Sequence, residues 1–229
     1  MRYLSALILA LVFAGFTTAQ TEQAPITEKP IAYKDWTLKN IKGGGETNLR
    51  SFAKGKKLVM VVYWAPWCPN WRHDLAFVQG LHDKYASAGL AIIGVGAYDP
   101  VDKMKNHLDQ FKLTFPSVYE SDNQNARLTS DHYLLRTAAG DKRKWGTPWY
   151  VLLDPSTLSA SGANLTEKTT VVNGELIKPE AEKYIREKLG LEGTAAAIGT
   201  AAKPIEVCEP GKKTVTLSNP NAVSESPCR

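Results

Sequence analysis

Cys68 is the side chain of this sequence best suited to covalent chemistry. It lies in the run WAPWCPNW, residues 64–71, directly after a long apolar segment. Because Pro69 is preset for the first position of a helix, the spacing predicts that Pro69, Asn70 and Trp71 begin a helix next to Cys68. The free N–H groups and the dipole of a helix N-terminus stabilise a thiolate. We therefore predict that Cys68 is a catalytic nucleophile.

The elements that would position Cys68 follow from the hydrophobic pattern. The segment 57–64, KLVMVVYW, is continuously apolar, which is typical of a strand buried on both faces of a sheet. The later segments are predicted as a helix over 70–88 ending at Gly89, a strand over 90–95, a helix opened by Asp99 and Pro100, a strand over 149–153, a hairpin around Asn173 and Gly174, and a helix over 179–189. This order predicts an α/β fold, with a mixed central sheet flanked by helices on both faces.

Two motifs carry a family resemblance. The segment WAPWCPNWRHD around Cys68 resembles the active-site segment of the thioredoxin-like superfamily, and most closely its exported branch related to TlpA and ResA. Gly146-Thr147-Pro148, just before the strand at 149–153, is similar to the Thr–cis-Pro loop of that family. The resemblance implies a thioredoxin-like domain over 34–191 and thiol–disulfide exchange with a protein or peptide substrate. It also implies that Thr147 and Pro148 bind the substrate main chain.

The sequence departs from this family at the second half of the motif. Where the family pattern is Cys-X-X-Cys, Trp71 replaces the second cysteine. The first cysteine of such a pair attacks a disulfide and the second expels the product, so Cys68 can attack but cannot complete a dithiol cycle within the motif. The family's acidic positions are also changed, because Val62 stands where thioredoxin buries an acid and Ala97 where ResA-like proteins place a glutamate.

Three routes could complete a cycle that starts at Cys68. An external small thiol could resolve the mixed disulfide, or Cys208 or Cys228 could reach it on a flexible linker. A third route is a one-cysteine peroxidase that passes through a sulfenic acid. We disfavour the peroxidase because Ala65 and Val61 occupy positions where the peroxiredoxin motif requires other residues.

Tryptophans near the two motifs suggest an alternative of another class. Trp67, Trp71 and Trp149 are predicted to surround Cys68 with an apolar patch suited to an extended peptide. A redox-inactive thioredoxin-fold module could use that groove to bind a peptide or a partner protein. We favour the enzyme because Cys68-Pro69 and Thr147-Pro148 are both present.

The other two cysteines lie near the C-terminus. The chain has three cysteines, an odd number, so at least one cannot pair within the chain. The composition of 192–204 is typical of a linker, and 205–229 is predicted to be a tail that carries Cys208 and Cys228. A disulfide between them would close a loop of about 20 residues and stabilise the tail by about 3 kcal/mol. We favour this structural disulfide over a resolving role.

The first residues predict the cellular location of the protein. Residues 1–19 have a basic start, an apolar run and small residues before Gln20, which is the layout of a secretory signal peptide. The apolar run is too short to span a bilayer core, which needs about 20 residues. We expect a periplasmic or secreted protein without a membrane span after cleavage. Residues 20–33, which include Pro25 and Pro30, are predicted to form an extended leader before the domain.

Charge and composition exclude several function classes. The 229 residues include 28 Lys and Arg against 23 Asp and Glu, a net charge of +5, without a run of five like charges. This argues against a nucleic-acid partner. The densest basic cluster, Lys142, Arg143 and Lys144 with Arg136 nearby, is interpreted as a solvated loop. The four histidines do not form a metal-binding pattern, and we predict neither a metal nor a cofactor.

Overall fold

The computed structural model describes residues 22–191, in which twelve strands and five α-helices are found. The strands are β1 (Gln23–Ala24), β2 (Thr27–Lys29), β3 (Tyr33–Lys34), β4 (Thr37–Asn40), β5 (Glu46–Asn48), β6 (Leu58–Trp64), β7 (Leu90–Gly96), β8 (Ser117–Tyr119), β9 (Trp149–Leu153), β10 (Asn164–Thr166), β11 (Thr169–Val172) and β12 (Glu175–Leu176). The helices are α1 (Leu49–Ala53), α2 (Pro69–Tyr85), α3 (Val101–Gln110), α4 (Asp131–Ala138) and α5 (Lys178–Lys188). Short 3₁₀ turns occupy Ala86–Ala88, Gln124–Leu128 and Pro155–Thr157.

The central sheet has eight strands in the order β2-β11-β9-β6-β7-β8-β4-β5. Strand β6 pairs in parallel with β7 and antiparallel with β9, so the sheet is mixed, as predicted. Every residue of β6, β7 and β9 is buried. Strands buried along their whole length lie at the centre of a sheet covered on both faces.

Each face of the sheet has its own hydrophobic core, and successive residues of β6 alternate between the two. Met60, Val62 and Trp64 pack in one cluster with residues of α2, α3 and α5. Val61 and Tyr63 pack in the other with residues of α1 and α4. Helices therefore cover both faces, which confirms the predicted fold class.

The long predicted elements agree with the structure to within a few residues. The strand predicted over 149–153 is observed as Trp149–Leu153, and the helix predicted over 179–189 as Lys178–Lys188. Helix α2 ends at Tyr85, and the 3₁₀ turn that follows ends at Gly89. Gly89 has a φ of 111°, a conformation that glycine adopts without the strain it would cause in other residues. The helix-capping residue before α3 is Pro100 rather than Asp99.

Two predictions about strands near the ends of the domain are wrong. Residues 22–33 are not a separate leader, because β2 pairs antiparallel with β11 at the edge of the central sheet. The hairpin predicted around Asn173 and Gly174 is also absent from the described residues. Strand β12 turns away from β11 and pairs in parallel with β1. Gly174 permits this route because a Cβ atom there would clash with the carbonyl oxygen of Glu22.

Several predicted segments lie outside the described residues. These are the signal peptide at 1–19, the linker at 192–204 and the tail at 205–229 with Cys208 and Cys228. Their assignments stay predictions.

Candidate active site

Cys68 lies where the chain passes from β6 into α2. It is the residue that caps the helix N-terminus, and Pro69 occupies the first turn, as the sequence predicts. The backbone N–H of Cys68 donates to the carbonyl oxygen of Ala65 at 3.0 Å, and its own carbonyl accepts from the N–H of Arg72 at 3.2 Å. The residue is only 5% exposed. The thiol therefore sits at the positive end of a helix, under partial cover.

The cover comes from the loop before β9. The peptide bond between Thr147 and Pro148 is cis, and the Sγ atom of Cys68 donates to the carbonyl oxygen of Thr147 at 3.1 Å. These two residues meet because β6 and β9 are neighbours in register, with Tyr63 opposite Trp149. The end of one strand and the start of the other thus lie at the same edge of the sheet, and the two motifs form one site.

Arg143 fixes the position of this loop. Its guanidinium donates to the carbonyl oxygens of Pro148 at 2.8 Å and Thr147 at 3.4 Å. It also pairs with the carboxylate of Asp141 at 2.7 Å and with that of Glu22 at 3.2 Å. The carbonyl that accepts from Cys68 is therefore also held by a cation whose own charge is neutralised by two acids.

Glu22 joins this loop to the helix N-terminus. The same carboxylate oxygen that pairs with Arg143 accepts from the side-chain amide of Asn70 at 2.6 Å. Asn70 therefore faces the N-terminal segment of the domain, and this segment forms one border of the site.

The sequence predicts that the four basic residues of this loop are all solvated, and this prediction is wrong for two of them. The side chains of Arg136 and Arg143 are only 1% and 17% exposed. Arg136 donates to the carbonyl oxygens of Asp141, Arg143 and Lys144. Only Lys142 and Lys144 are exposed, so two of the four cations organise the loop and two face solvent.

Trp71 and Trp149 are core residues, and the prediction that they surround Cys68 at the surface is wrong. Both are 0% exposed. Trp71 is the first member of the inward-facing stripe of α2 that continues with Leu75 and Val78. Trp149 lies in a central strand, where its indole N–H donates to the Oδ1 of Asn173 at 2.8 Å. The side chain that replaces the second cysteine is thus a packing element.

The aromatic pair that does border the site is Trp67 with Trp145. Both rings are partly exposed, and they meet edge to face with 5.0 Å between their centroids. Trp67 adjoins Cys68 in the chain, and Trp145 stands two residues before Thr147. The prediction included Trp67 but not Trp145 among the binding residues, although Trp145 directly precedes the second motif.

Sequence reasoning missed a buried acid close to the site. Asp74 is 1% exposed. Its Oδ2 accepts from the hydroxyl of Tyr150 at 2.7 Å and from the N–H of Leu176 at 2.8 Å, whereas Oδ1 has no hydrogen-bond partner in residues 22–191. Burial raises the pKa of this carboxyl above its usual 3.8.

Tyr150 is coupled electrostatically to Asp74. Burial raises the pKa of the Tyr150 hydroxyl most, and negative charge on Asp74 and on Glu175 raises it further. The signal for Asp74 was present in the sequence, because it lies three residues after Trp71 and four before Val78, on the apolar face of α2. A carboxylate on the apolar face of a helix is either turned out to solvent or buried as part of a polar site.

The described residues offer no metal centre. Within 22–191, no group of three or more His, Cys, Asp and Glu side chains lies close enough to hold an ion. His107 instead lies beneath Trp71, and burial lowers its pKa from 6.5 to about 4.

Comparisons with known proteins place this geometry in context. The AhpC/TSA family model matches residues 32–137. Thioredoxin-like protein YneN of Bacillus subtilis strain 168 is 30% identical over 126 residues, which cover 52% of this chain and 71% of that protein. Thiol-disulfide oxidoreductase ResA of Geobacillus kaustophilus is 26% identical over 121 residues, which cover 53% of this chain and 67% of the relative.

Solved structures agree on the fold. A thiol:disulfide interchange protein of the thioredoxin family from Chlorobium tepidum aligns with a TM-score of 0.51 at 19% identity, over 71% of this chain and 98% of that one. The C-terminal domain of a candidate thiol-disulfide oxidoreductase from Bacteroides thetaiotaomicron aligns with a TM-score of 0.52 at 17% identity, over 71% and 96%. At these identities the likeness concerns the fold alone.

Proposed function

The chain belongs to the thioredoxin-like family, and on that premise we propose that it is a thiol-disulfide oxidoreductase in which Cys68 is the attacking group. The observation that carries the proposal is the 3.1 Å contact between the Sγ of Cys68 and the carbonyl oxygen of Thr147, at the start of α2. A helix N-terminus stabilises the thiolate that such a reaction needs. The similarity to thiol-disulfide oxidoreductase ResA supports the same chemistry.

The contact between Cys68 and Thr147 also links attack to substrate binding. While the thiol is protonated, it occupies the carbonyl oxygen of Thr147. Loss of the proton removes this donor, and the carbonyl can then accept from a main-chain N–H of the substrate. Arg143 keeps the carbonyl in place during the exchange.

The first step is a thiol–disulfide exchange. The thiolate of Cys68 attacks one sulfur of the substrate disulfide, a new S–S bond forms, and the second substrate sulfur leaves as a thiolate that takes up a proton. Because Trp71 is buried where the second cysteine of the family would stand, the mixed disulfide is resolved by another thiol. An external small thiol, or Cys208 or Cys228 of the tail, attacks the Sγ of Cys68 and releases the reduced substrate as a thiolate. A second small thiol, or the other tail cysteine, then frees Cys68, and the two resolving thiols leave as a disulfide that accounts for the two electrons given to the substrate.

A binding module without turnover is the weaker alternative. It depended on a groove bordered by Trp67, Trp71 and Trp149, and two of these three side chains are buried. Of these three, only the Trp67 side chain is partly exposed. The thiol at the helix N-terminus would have no role in such a module.

We also propose that the protein is exported, on the basis of residues 1–19. No helix within residues 22–191 is long and apolar enough to cross a membrane. In an oxidising compartment the pairing of Cys208 with Cys228 would persist. An external thiol would then be the resolving group.

The experiment that tests the function follows reduction of a peptide disulfide by the full mature chain, with and without a small thiol. We compare wild type, Cys68→Ser and the double variant Cys208→Ser/Cys228→Ser. We expect Cys68→Ser to be inactive, and the double variant to match wild type when the small thiol is present. Failure of the double variant would assign the resolving step to the tail.

Trapping of the mixed disulfide provides the second readout. In the Cys208→Ser/Cys228→Ser background without small thiol, a covalent adduct should accumulate at Cys68 and be seen by mass spectrometry. If peptide disulfides form no adduct with Cys68, the proposed function is wrong.

A further inference from the structure

We propose that this site selects substrate segments with acidic residues on both sides of the reacting cysteine. The proposal rests on the proposed function and adds the class of substrate. It comes from three cations, Arg72, Arg127 and Lys144, which we call the basic rim, and from the aromatic pair that they surround.

The aromatic pair, Trp67 and Trp145, holds two members of the basic rim in place. The guanidinium carbon of Arg127 lies 5.3 Å from the centroid of the Trp145 ring, and the Nζ of Lys144 lies 5.8 Å from it. Arg127 also donates to the carbonyl oxygen of Lys144 at 3.0 Å. A cation on an aromatic face keeps its remaining N–H donors available to a ligand.

The third member of the basic rim contacts the residue that precedes Trp67 in the chain. Arg72, in the first turns of α2, donates twice to the carbonyl oxygen of Pro66, at 3.2 and 3.1 Å. Its side chain is exposed. The basic rim therefore draws on α2, on the turn at Gln124–Leu128 and on the loop before β9. Its members contact Pro66, which precedes Trp67 in the chain, and Trp145, which packs on Trp67.

The basic rim differs from the other cations of the site in its charge balance. Arg143 pairs with Asp141 and Glu22. By contrast, no carboxylate of residues 22–191 lies within ion-pair distance of a basic-rim side chain. The two arginines that organise the loop, Arg136 and Arg143, are compensated by acids, whereas the three cations of the basic rim are not.

An acidic protein segment fits this arrangement better than a nucleic acid. Three charges are too few for a nucleic acid, whose binding surfaces need an extended basic stripe. A peptide with carboxylates before and after its cysteine would meet cations on both sides while its apolar atoms cover Trp67 and Trp145.

The test uses three peptides that differ only in the residues around one cysteine, which are Glu, Gln or Lys. Each cysteine is blocked as a mixed disulfide with an aromatic thiol. Attack by Cys68 on the peptide sulfur releases the coloured arylthiolate. The protein is the full mature chain in the Cys208→Ser/Cys228→Ser background, so that Cys68 is the only thiol.

We expect the Glu peptide to react at least about tenfold faster than the Lys peptide at about 0.01 M ionic strength, where the Debye length is about 30 Å. At about 1 M the Debye length falls to about 3 Å, and the two rates should converge. In Arg127→Glu/Lys144→Glu the ratio of the two rates should fall below one. The ratio is taken within each variant, so a partial folding defect does not affect it.

The matched control is Lys54→Glu/Lys56→Glu. These two exposed lysines lie before β6, at the opposite end of the strand from Cys68, and they change the net charge by the same amount. We expect the rate ratio of this control to equal that of the parent. Equal rates for the three peptides, or an equal effect of the control, would overturn the acidic preference and leave the proposed function standing. If none of the peptides reacts, both proposals are overturned.

Discussion

The indole N–H of Trp71 donates a hydrogen bond to the Nε2 of His107, with 3.0 Å between the two nitrogens. The bond requires a neutral histidine with its proton on Nδ1. Burial holds the pKa of His107 at about 4, so the imidazole is neutral at ordinary pH. The ring of Trp64 stacks on His107 with centroids 5.2 Å apart. The position of the missing cysteine is therefore filled by a polar contact inside the core.

Restoring the second cysteine should therefore cost stability. In Trp71→Cys we expect the free energy of unfolding to fall by about 3–5 kcal/mol, because a buried indole is lost and a cavity is left. Trp71→Phe should lose less, since it keeps most of the ring volume and gives up the bond to His107. Urea unfolding followed by circular dichroism measures both. Trp67→Phe, at a partly exposed ring, is the control, and a loss for Trp71→Phe no larger than this control would contradict the interpretation.

Asp74 gives a pH-dependent prediction. Burial raises the pKa of this acid above 3.8 in the folded protein, so the fold prefers the protonated form. This contribution to stability is lost as the pH rises through the folded-state pKa. Asp74→Asn keeps an acceptor for Tyr150 and Leu176 and carries no charge. At about pH 8 we expect it to be more stable than wild type by about 1–3 kcal/mol, the usual cost of an unsatisfied buried group.

The control for Asp74→Asn is Tyr150→Phe, which removes one hydrogen-bond donor to the carboxylate. We expect the Tyr150→Phe variant to be less stable than wild type at the same pH. Denaturant titrations of both variants at several pH values make the comparison. If Asp74→Asn were destabilised equally at all pH values, the carboxyl would not titrate as described.

The location of the site could be predicted from the sequence, but its lining could not. Cys68 and Thr147-Pro148 are each tied to a long apolar strand, and two neighbouring strands must bring their ends to one edge of the sheet. The surface prediction for Trp71 and Trp149 failed because a tryptophan side chain suits a core as well as a surface. Whether it is buried depends on the space between the helix and the sheet, which the sequence pattern does not give.

Asp74 and β12 were missed for a different reason. A carboxylate on a helix is most often solvated, so one acid within an apolar stripe was not recognised as buried. Asn173-Gly174 is a strong hairpin signal, but the partner of β12 is β1, a two-residue strand in a polar segment. Pairing through the backbone leaves little trace in the side chains of so short a strand.

Glu120 predicts a second pH effect, on the other face of the sheet. Its Oε1 accepts from the N–H of His132 at 2.9 Å, and its Oε2 is buried without a partner among the described residues. Burial raises the pKa of this carboxyl from 4.5 to about 7. The folded protein thus keeps a proton that the unfolded chain releases, and this stabilisation is lost as the pH rises from about 4.5 to 7.

Replacement of Glu120 by its neutral isostere tests this. Relative to wild type, Glu120→Gln should gain about 1–3 kcal/mol in the free energy of unfolding between about pH 4.5 and pH 8. Exposed Glu46 supplies the matched control, because Glu46→Gln should show a difference from wild type that does not change over this range. A flat difference for Glu120→Gln as well would show that the group does not titrate there.

Arg143 should serve both the stability and the reaction, and the two roles can be separated. Arg143→Met leaves Asp141, whose side chain is 1% exposed, with Arg136 at 3.7 Å as its cationic partner and with the backbone N–H of residue 143 as a hydrogen-bond donor. Breaking such a buried pair costs about 3–5 kcal/mol. In Arg143→Met/Asp141→Asn the unpaired charge is gone, so we expect part of this free energy of unfolding to be recovered.

The rate of mixed-disulfide formation at Cys68 should behave differently. The carbonyl oxygens of Thr147 and Pro148 lose the Arg143 donor in the single variant and in the double variant alike. The loop is therefore free to shift in both, and we expect the rate per folded molecule to stay low. Arg50→Met is the control, because Arg50 pairs with Asp35 at 2.8 Å in a partly buried bridge that belongs to other elements. That variant should lose stability and keep its rate. If the double variant regained both stability and rate, Arg143 would act by balancing the charge of Asp141 and not by holding the loop.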